Sequence, residues 1–357
     1  MSHRTHTPRV VLVTGGAGFI GSNFLLRVVP NHPDVEFINV DALTYAGNLL
    51  NLTSVESRPN YSFVRADIAD HDAIAELVEA RGVTTIVHFA AESHVDRSIL
   101  DPLGFVRTNV MGTANLLDIA RRAWAGAEPG SRRFYHVSTD EVFGTLGEDG
   151  YFVESTPYDP RSPYSASKAA SDHLVRAYHH TFGLPVVLSN CTNNYGPYQF
   201  PEKLIPLMIR NAVARRPLPV YGKGDNVRDW LHVADHCEAI ETILLHGAEG
   251  ETYCIGGDAE RPNLDIVHLI ADLVDERLAR EAGTSRDLIE FVTDRPGHDF
   301  RYAMDCSYLK EQLGWAPRHT LEEGLRETVN WYIDNPDWLE AVADASYQAY
   351  YEQQYGS

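Results

Sequence analysis

Through the first half of the chain, short β-branched runs alternate with stretches of helical period. Val10-Val11-Leu12-Val13, Val35 to Val40, Thr85 to Phe89 and Phe134 to Ser138 read as buried parallel strands. Asp70 to Arg81 and Asn109 to Ala123 read as helices between them. From Ser165 to Tyr178 the apolar positions Ala166, Ala169, Ala170, Leu174 and Ala177 recur at helical spacing. Strand and helix in alternation predict a doubly wound parallel sheet. After Tyr195 the pattern loosens: Pro197, Pro201, Pro206, Pro217 and Pro219, with Gly222 and Gly224, punctuate loops and short elements. Helical patterns return at Leu264 to Glu281 and Leu321 to Asn335. The expected organisation is α/β. A larger lobe covers 8–195 with parts of 225–260, and a smaller mixed α/β lobe lies mainly in 196–345, with the ligand cleft between them.

Composition narrows the setting. The 357 residues are 44% hydrophobic, enough for a large core, and 30 Lys+Arg against 50 Asp+Glu leave a net charge of -20. Nucleic-acid surfaces need clustered basic residues to displace counterions, and the pairs Arg121-Arg122, Arg132-Arg133 and Arg215-Arg216 are scattered. No run of 18 apolar residues is present, and the polar stretch Met1 to Pro8 leaves no room for a signal peptide. Cys191, Cys237, Cys254 and Cys306 lie far apart without a CxxC pair, so neither a disulfide framework nor a zinc site is suggested. The 16 histidines show no clear ligand spacing, and no metal is expected. A cytoplasmic protein with no nucleic-acid or membrane partner is the expectation.

The first chemical signal follows the first strand. Thr14-Gly15-Gly16-Ala17-Gly18-Phe19-Ile20-Gly21 is a glycine-rich turn opening a helix. Gly15 takes the tight turn, Gly18 lets backbone approach a pyrophosphate, and Gly21 lets helix pack on strand. The helix N-terminus offers amide donors and its positive dipole end to phosphates. Twenty residues beyond Gly21, Asp41 closes the second strand, where a carboxylate can bind both ribose hydroxyls and repel a 2′-phosphate. That favours NAD over NADP in a Rossmann-like lobe. Asp67-Ile68, after the third strand, is placed either to meet the adenine or to cap a helix.

The second signal is Tyr164-Ser165-Ala166-Ser167-Lys168, which puts phenol and ammonium one helical turn apart on one face. A lysine charge there stabilises phenolate and lowers its pKa from about 10. Such a phenolate can take a hydroxyl proton while hydride leaves for nicotinamide.

Taken together, the glycine turn, Phe89-Ala90-Ala91, Ser138-Thr139, Tyr164 with Lys168, and Arg228-Asp229-Trp230-Leu231-His232-Val233 resemble the extended short-chain dehydrogenase/reductase family from about Val10 to Leu325. Within it, Thr139-Asp140-Glu141-Val142-Phe143-Gly144 resembles the 4,6-dehydratases that act on dTDP-glucose, whereas epimerases usually carry small or neutral residues at the two acidic positions. Ala91 to Ser98, Asn193 to Gln199 and Asp294 to Asp299 add to that likeness. Phe143 stands where the family often has tyrosine, and reads as a change of packing.

The resemblance implies that Tyr164 deprotonates the sugar 4-hydroxyl with Thr139 hydrogen-bonding its oxygen. Glu141 then removes the carbon 5 proton, and protonated Asp140 donates to the leaving hydroxyl on carbon 6. Two adjacent carboxyls can split their pKa values into one acid and one base. It further implies NAD contacts from Gly15, Gly18, Phe19, Ile20, Gly21, Asp41, Asp67, Ile68, Phe89, Ala90, Ala91, Thr108, Tyr164, Lys168 and Asn190. The nucleotide sugar falls to Ser93, Arg97, Thr139, Asn193, Glu202, Lys203, Leu204, Pro219, Tyr221, Arg228, Asn263, Arg295 and His298. Guanidinium groups suit its diphosphate because they bind oxygens as a fork; an ion pair with Asp229 is the other reading of Arg228. The choice of base rests on the likeness around Glu202 and Lys203.

The resemblance also implies a homodimer built on the helices after Thr108 and Tyr164. The small face Ala166, Ala169, Ala170 would allow close approach, or would pack on the sheet. A 4-epimerase, a dehydratase of another nucleotide sugar and a non-catalytic NAD-binding protein remain the alternatives.

Overall fold

The computed structural model describes residues 5–294 and 299–342. Six strands come first, β1 (Val10–Thr14), β2 (Glu36–Asp41), β3 (Tyr61–Arg65), β4 (Thr85–His88), β5 (Arg133–Thr139) and β6 (Val186–Cys191). Three short strands follow, β7 (Asn193–Tyr195), β8 (Leu218–Tyr221) and β9 (Val227–His232), before β10 (Thr252–Ile255) returns to the edge beside β6. The larger sheet runs β10-β6-β5-β4-β1-β2-β3, every pair parallel. The winding therefore reverses between β1 and β4. In such sheets ligands sit outside the carboxyl ends of the strands at this reversal.

Both faces are covered, which is why the central strands read as unbroken apolar runs. Phe24, Leu25 and Val28 of the helix Phe19–Asn31 pack with Ala239, Ile240 and Ile243 of the helix Val233–His246 on one face. Ile74 and Val78 of the helix His71–Arg81 meet Leu116, Leu117 and Ala120 of the helix Thr113–Ala123 on the other. The chain also returns late to the first of these cores, through Cys306, Leu309 and Trp315.

The smaller lobe has its own core. The strand β11 (Glu260–Pro262) pairs antiparallel with β9, which pairs parallel with β7; β12 (Ile289–Val292) pairs with β8. Ile205 and Met208 of the helix Leu204–Val213, Ile266 and Ile270 of the helix Asn263–Arg277, and Leu325 and Val329 of the helix Leu321–Asp334 are fully buried together. Among the described residues, no helix is long and apolar enough to cross a membrane.

Two local features differ from the sequence pattern. The helix expected from Asn109 is preceded by a π-helical segment, Val106–Gly112, and α-geometry begins at Thr113. The helix expected from Ser165 begins at Pro163, where Ser162 and Ser165 cap each other reciprocally and proline supplies the first turn.

Candidate active site

The ends of β1, β2, β4, β5 and β6 open into one cleft of about 340 Å³. Its floor is the glycine turn. Gly15 has φ +72°, and a Cβ there would lie 2.6 Å from the Ala90 amide nitrogen. A Cβ on Gly21 would lie 2.3 Å from the Gly15 carbonyl oxygen. Both glycines are thus required by the protein's own backbone. Gly18 differs, because its Cβ position meets only the Gly15 carbonyl, at 3.3 Å. It opens the helix Phe19–Asn31, whose N-terminus has no side-chain cap and no acid in its first turn. An uncapped helix end on a cleft fits an anionic phosphate.

Asp41 accepts from the Ala17 amide at 3.0 Å and the Leu43 amide at 2.8 Å. Burial pushes its pKa up, more than the two amides lower it. Phe19, Ile20, Asp67, Ile68, Phe89, Ala90, Ala91 and Thr108 line the same cleft. Asp70, not Asp67, caps the helix His71–Arg81. The donor set and the open helix end therefore fit a dinucleotide.

At the other end of the cleft β5 ends on Thr139 and turns into the 3₁₀ segment Asp140–Phe143. The Thr139 hydroxyl donates to Asp140 Oδ1 at 3.1 Å and accepts from the Glu141 amide at 3.3 Å. Asp140 is 2% exposed, and its Oδ2 has no hydrogen-bond partner among the described residues. Burial, then the neighbouring Glu141, hold its carboxyl well above the ordinary carboxylate range, against the opposing pull of Arg228. The shift is in the direction that a proton donor needs. Glu141, Tyr164 and Lys168 line the cleft beside it.

Here the one-turn spacing of Tyr164 and Lys168 gave only part of the electrostatics. Burial, then Glu141, push the Tyr164 phenol well above its ordinary value, and hydrogen bonding to Thr139 offsets this only in part. Lys168 Nζ donates to the Val137 carbonyl at 2.9 Å, and burial lowers its pKa against the raising fields of Asp172 and Cys191. The protein alone keeps the phenol protonated.

Ser93, Asn193, Glu202 and Lys203 complete the cleft. Lys203 Nζ donates to the Ser93 carbonyl at 2.9 Å. Glu202 accepts from Tyr45 Oη at 3.0 Å and Arg97 Nε at 3.2 Å, while the Arg97 guanidinium lies 3.8 Å from the centre of the Tyr45 ring. Burial pushes the Glu202 carboxyl up. Leu204 opens the adjoining helix. Asn190 stands behind the cleft, donating to the Thr139 carbonyl at 3.0 Å.

A separate group gathers in the smaller lobe. Pro219 and Tyr221 lie on β8, Arg228 on β9, and Asn263 opens its helix with its amide on the Asn226 carbonyl at 2.9 Å. Arg228 donates to the Val227, Asp299 and Phe300 carbonyls and stacks on Tyr302. Asp229 accepts instead from the Gly257 and Ala259 amides. Arg295 and His298 lie outside the described residues.

Sequence reading passed over Tyr45, Asn109, Asp172 and Cys191. Asn109, in the π segment, exchanges two hydrogen bonds with the Glu92 backbone and donates to Ser167 Oγ at 2.8 Å. No sequence signal marked Asn109, because the π segment that turns it toward Glu92 barely alters the helical period. Folding also gathers His232, His319 and Glu327, whose candidate ligand atoms lie within 4.8 Å of one another. The two rings lie face to face, tilted by 33° with centroids 4.1 Å apart, a poor arrangement for sharing an ion that must lie in both ring planes.

The chain matches the model of the GDP-mannose 4,6 dehydratase family over residues 12–328. It belongs to this family of nucleotide-sugar 4,6-dehydratases, within the extended short-chain dehydrogenase/reductases. A dTDP-glucose 4,6-dehydratase of Xanthomonas campestris pv. campestris is 56% identical over 342 residues, 94% of this chain and 97% of that protein. One from Salmonella typhimurium is 48% identical, covering 97% of this chain and 98% of its own length. Among solved structures, a dTDP-glucose 4,6-dehydratase of Streptomyces venezuelae with NAD bound superposes with a TM-score of 0.85. It is 46% identical and covers 93% of this chain and 99% of its own.

Proposed function

We propose that this chain is an NAD-dependent lyase converting dTDP-glucose to dTDP-4-dehydro-6-deoxy-glucose. The observation that carries the reading is the buried Asp140 carboxyl beside Glu141, its pKa held above the ordinary carboxylate range, at the strand end that also bears Thr139. An epimerase has no use for a second acid there, whereas elimination of water needs one group to take a proton and another to give one. The relatives named above, at 48% to 56% identity, support dTDP-glucose as the sugar nucleotide.

Bound NAD supplies the acceptor for the carbon 4 hydride and the donor that returns it to carbon 6. Tyr164 takes the proton of the 4-hydroxyl, and Thr139 holds that oxygen by its hydroxyl. Lys168 and Thr139 favour the phenolate that burial opposes. Once carbon 4 is a ketone the carbon 5 proton is acidic, and Glu141 removes it. Asp140 protonates the carbon 6 hydroxyl as the C–O bond breaks and water leaves. Glu141 gives its proton back to carbon 5 as carbon 6 is reduced.

In this reading 8–195, with parts of 225–260, holds the dinucleotide, and 196–345 mainly the sugar nucleotide. Tyr45, Arg97 and Glu202 shape the sugar end, while Arg228 and Asn263 stand toward the diphosphate. The enzyme works as a cytoplasmic homodimer in deoxysugar biosynthesis.

The test is dTDP-glucose deuterated at carbon 4, followed by NMR. Deuterium appearing at carbon 6 of a 4-keto-6-deoxy product is expected. A 4-epimer with label at carbon 4 makes the chain an epimerase, and no turnover of any nucleotide sugar makes it a binding protein.

A further inference from the structure

Beneath the cleft lies a buried carboxylate with no part in the chemistry above. Asp172 stands one turn beyond Lys168 on the helix Pro163–Phe182 and is 0% exposed. Four groups converge on it: His136 Nε2 at 3.1 Å, Ser138 Oγ at 2.8 Å, Tyr158 Oη at 2.8 Å and Asn190 Nδ2 at 3.3 Å. Burial raises its pKa, but the hydrogen bonds from His136 and Ser138 and the charge of Lys168 outweigh it and bring it below the ordinary value. A carboxylate so surrounded stays ionised. Burial lowers the His136 pKa to about 4, so that ring is neutral and donates from Nε2.

Three of the four donors come from β5, which ends on Thr139, and from its neighbour β6; Tyr158 comes from the loop before the helix. His136 and Ser138 lie on β5 directly before Thr139, and Asn190 lies on β6. Asn190 also donates to the Thr139 carbonyl at 3.0 Å. Asp172 is thus tied to Thr139 by two routes, through Ser138 along the strand and through Asn190 across it. It also stands one turn from Lys168 on the same helix, both side chains buried, and its charge raises the Lys168 pKa that burial lowers.

We propose that Asp172 is a positioning residue for the dehydration: its buried carboxylate is the counter-charge of Lys168 and clamps the end of β5 that presents Thr139 and Asp140. The inference rests on the dehydratase reading for its kinetic part only. Removing the carboxylate lowers the pH at which Lys168 loses its proton, and lets Thr139 and Asp140 drift from the cleft. The other titratable groups facing this pair are His88 and His136 from the sheet, Cys191 from β6, Tyr158 with its partner Arg176, and Tyr164.

The test compares Asp172→Asn with wild type, both as NAD-loaded enzyme, by steady-state kinetics across pH and by NMR titration of ¹⁵N-lysine-labelled protein. Expected are a kcat lower by about 10- to 100-fold with KM within about threefold. The alkaline limb of the pH profile and the Lys168 titration should both move down by about one pH unit. A variant with a lowered melting temperature but unchanged kcat per folded molecule and unchanged limb overturns the proposal, because it leaves only a tie within the core. If Asp172→Asn does not fold, Tyr158→Phe decides: it strips one donor from the carboxylate and should move the Lys168 titration upward. An unmoved titration there overturns the proposal as well. Wild type that fails to turn over dTDP-glucose sinks the dehydratase reading alone, since the Lys168 titration still reads the counter-charge.

Discussion

Asp140 carries a structural cost that can be measured separately from its chemistry. Its folded pKa is raised above the ordinary 3.8, so its contribution to stability is greatest below about pH 3.8 and is lost as pH rises through the folded value. Asp140→Asn cannot ionise in either state. Its melting temperature should therefore exceed that of wild type by a margin that grows with pH above about 4, at up to about 1.4 kcal/mol per pH unit. Turnover should fall by about 10²- to 10⁴-fold, the usual loss for a positioned general acid. Parallel stability curves for the two proteins would mean that Asp140 is ionised and cannot be the donor. The two acids, Tyr164 and Lys168 were all legible in the sequence, because they fall within short motifs. Asp172 was not: its donors lie at 136, 138, 158 and 190, and only folding brings them to one oxygen pair. The protonated state of Tyr164 was hidden for the same reason, since spacing reports one neighbouring charge and says nothing of burial.

Among the elements, the turn between β1 and its helix separates two demands that one glycine motif combines. Gly21→Ala would press a Cβ against the Gly15 carbonyl and the Gly16 Cα, both backbone atoms. Gly18 has φ -76° and ψ 178°, which alanine adopts freely, and its Cβ position is confined only by one carbonyl at 3.3 Å. Gly18→Ala should leave stability within about 1 kcal/mol of wild type, while Gly21→Ala should cost about 2 kcal/mol or more. Both should weaken NAD binding, Gly18→Ala by about tenfold, read by NAD titration beside thermal melts. Unchanged NAD affinity in Gly18→Ala would mean that no phosphate approaches this backbone. Strands β1, β2, β4 and β5 were readable to within a residue because each is a short β-branched or aromatic run buried on both faces. The π segment Val106–Gly112 was not readable, since one wide turn barely alters a helical period. Nor was the edge position of β10, which is set by the path the chain takes through the smaller lobe.

For the whole molecule, the question is what covers the apolar ridge that the described surface leaves open. Ile99, Leu100, Leu103, Val106 and Met111 are all exposed, Leu103 at 77% and Met111 at 58%. They lie on or beside the helical run that begins at Val95, and all but Met111 precede Thr108, after which the family resemblance places a subunit contact. The small-residue face expected to make that contact divides differently: Ala169 is buried in a cluster with Phe143 and Cys254, and Ala166 is exposed. Sequence spacing could not separate the two roles, because alanine suits a helix contact and a sheet contact alike. A net charge of -20 opposes pairing of two copies, but at physiological salt that repulsion is screened beyond about 8 Å. Apolar burial acts at contact and persists. Leu103→Glu with Met111→Glu should therefore halve the sedimentation mass while each monomer keeps its sheet and its cleft. A wild type that sediments as a monomer, or a double variant that stays dimeric, would remove this ridge as the site of pairing.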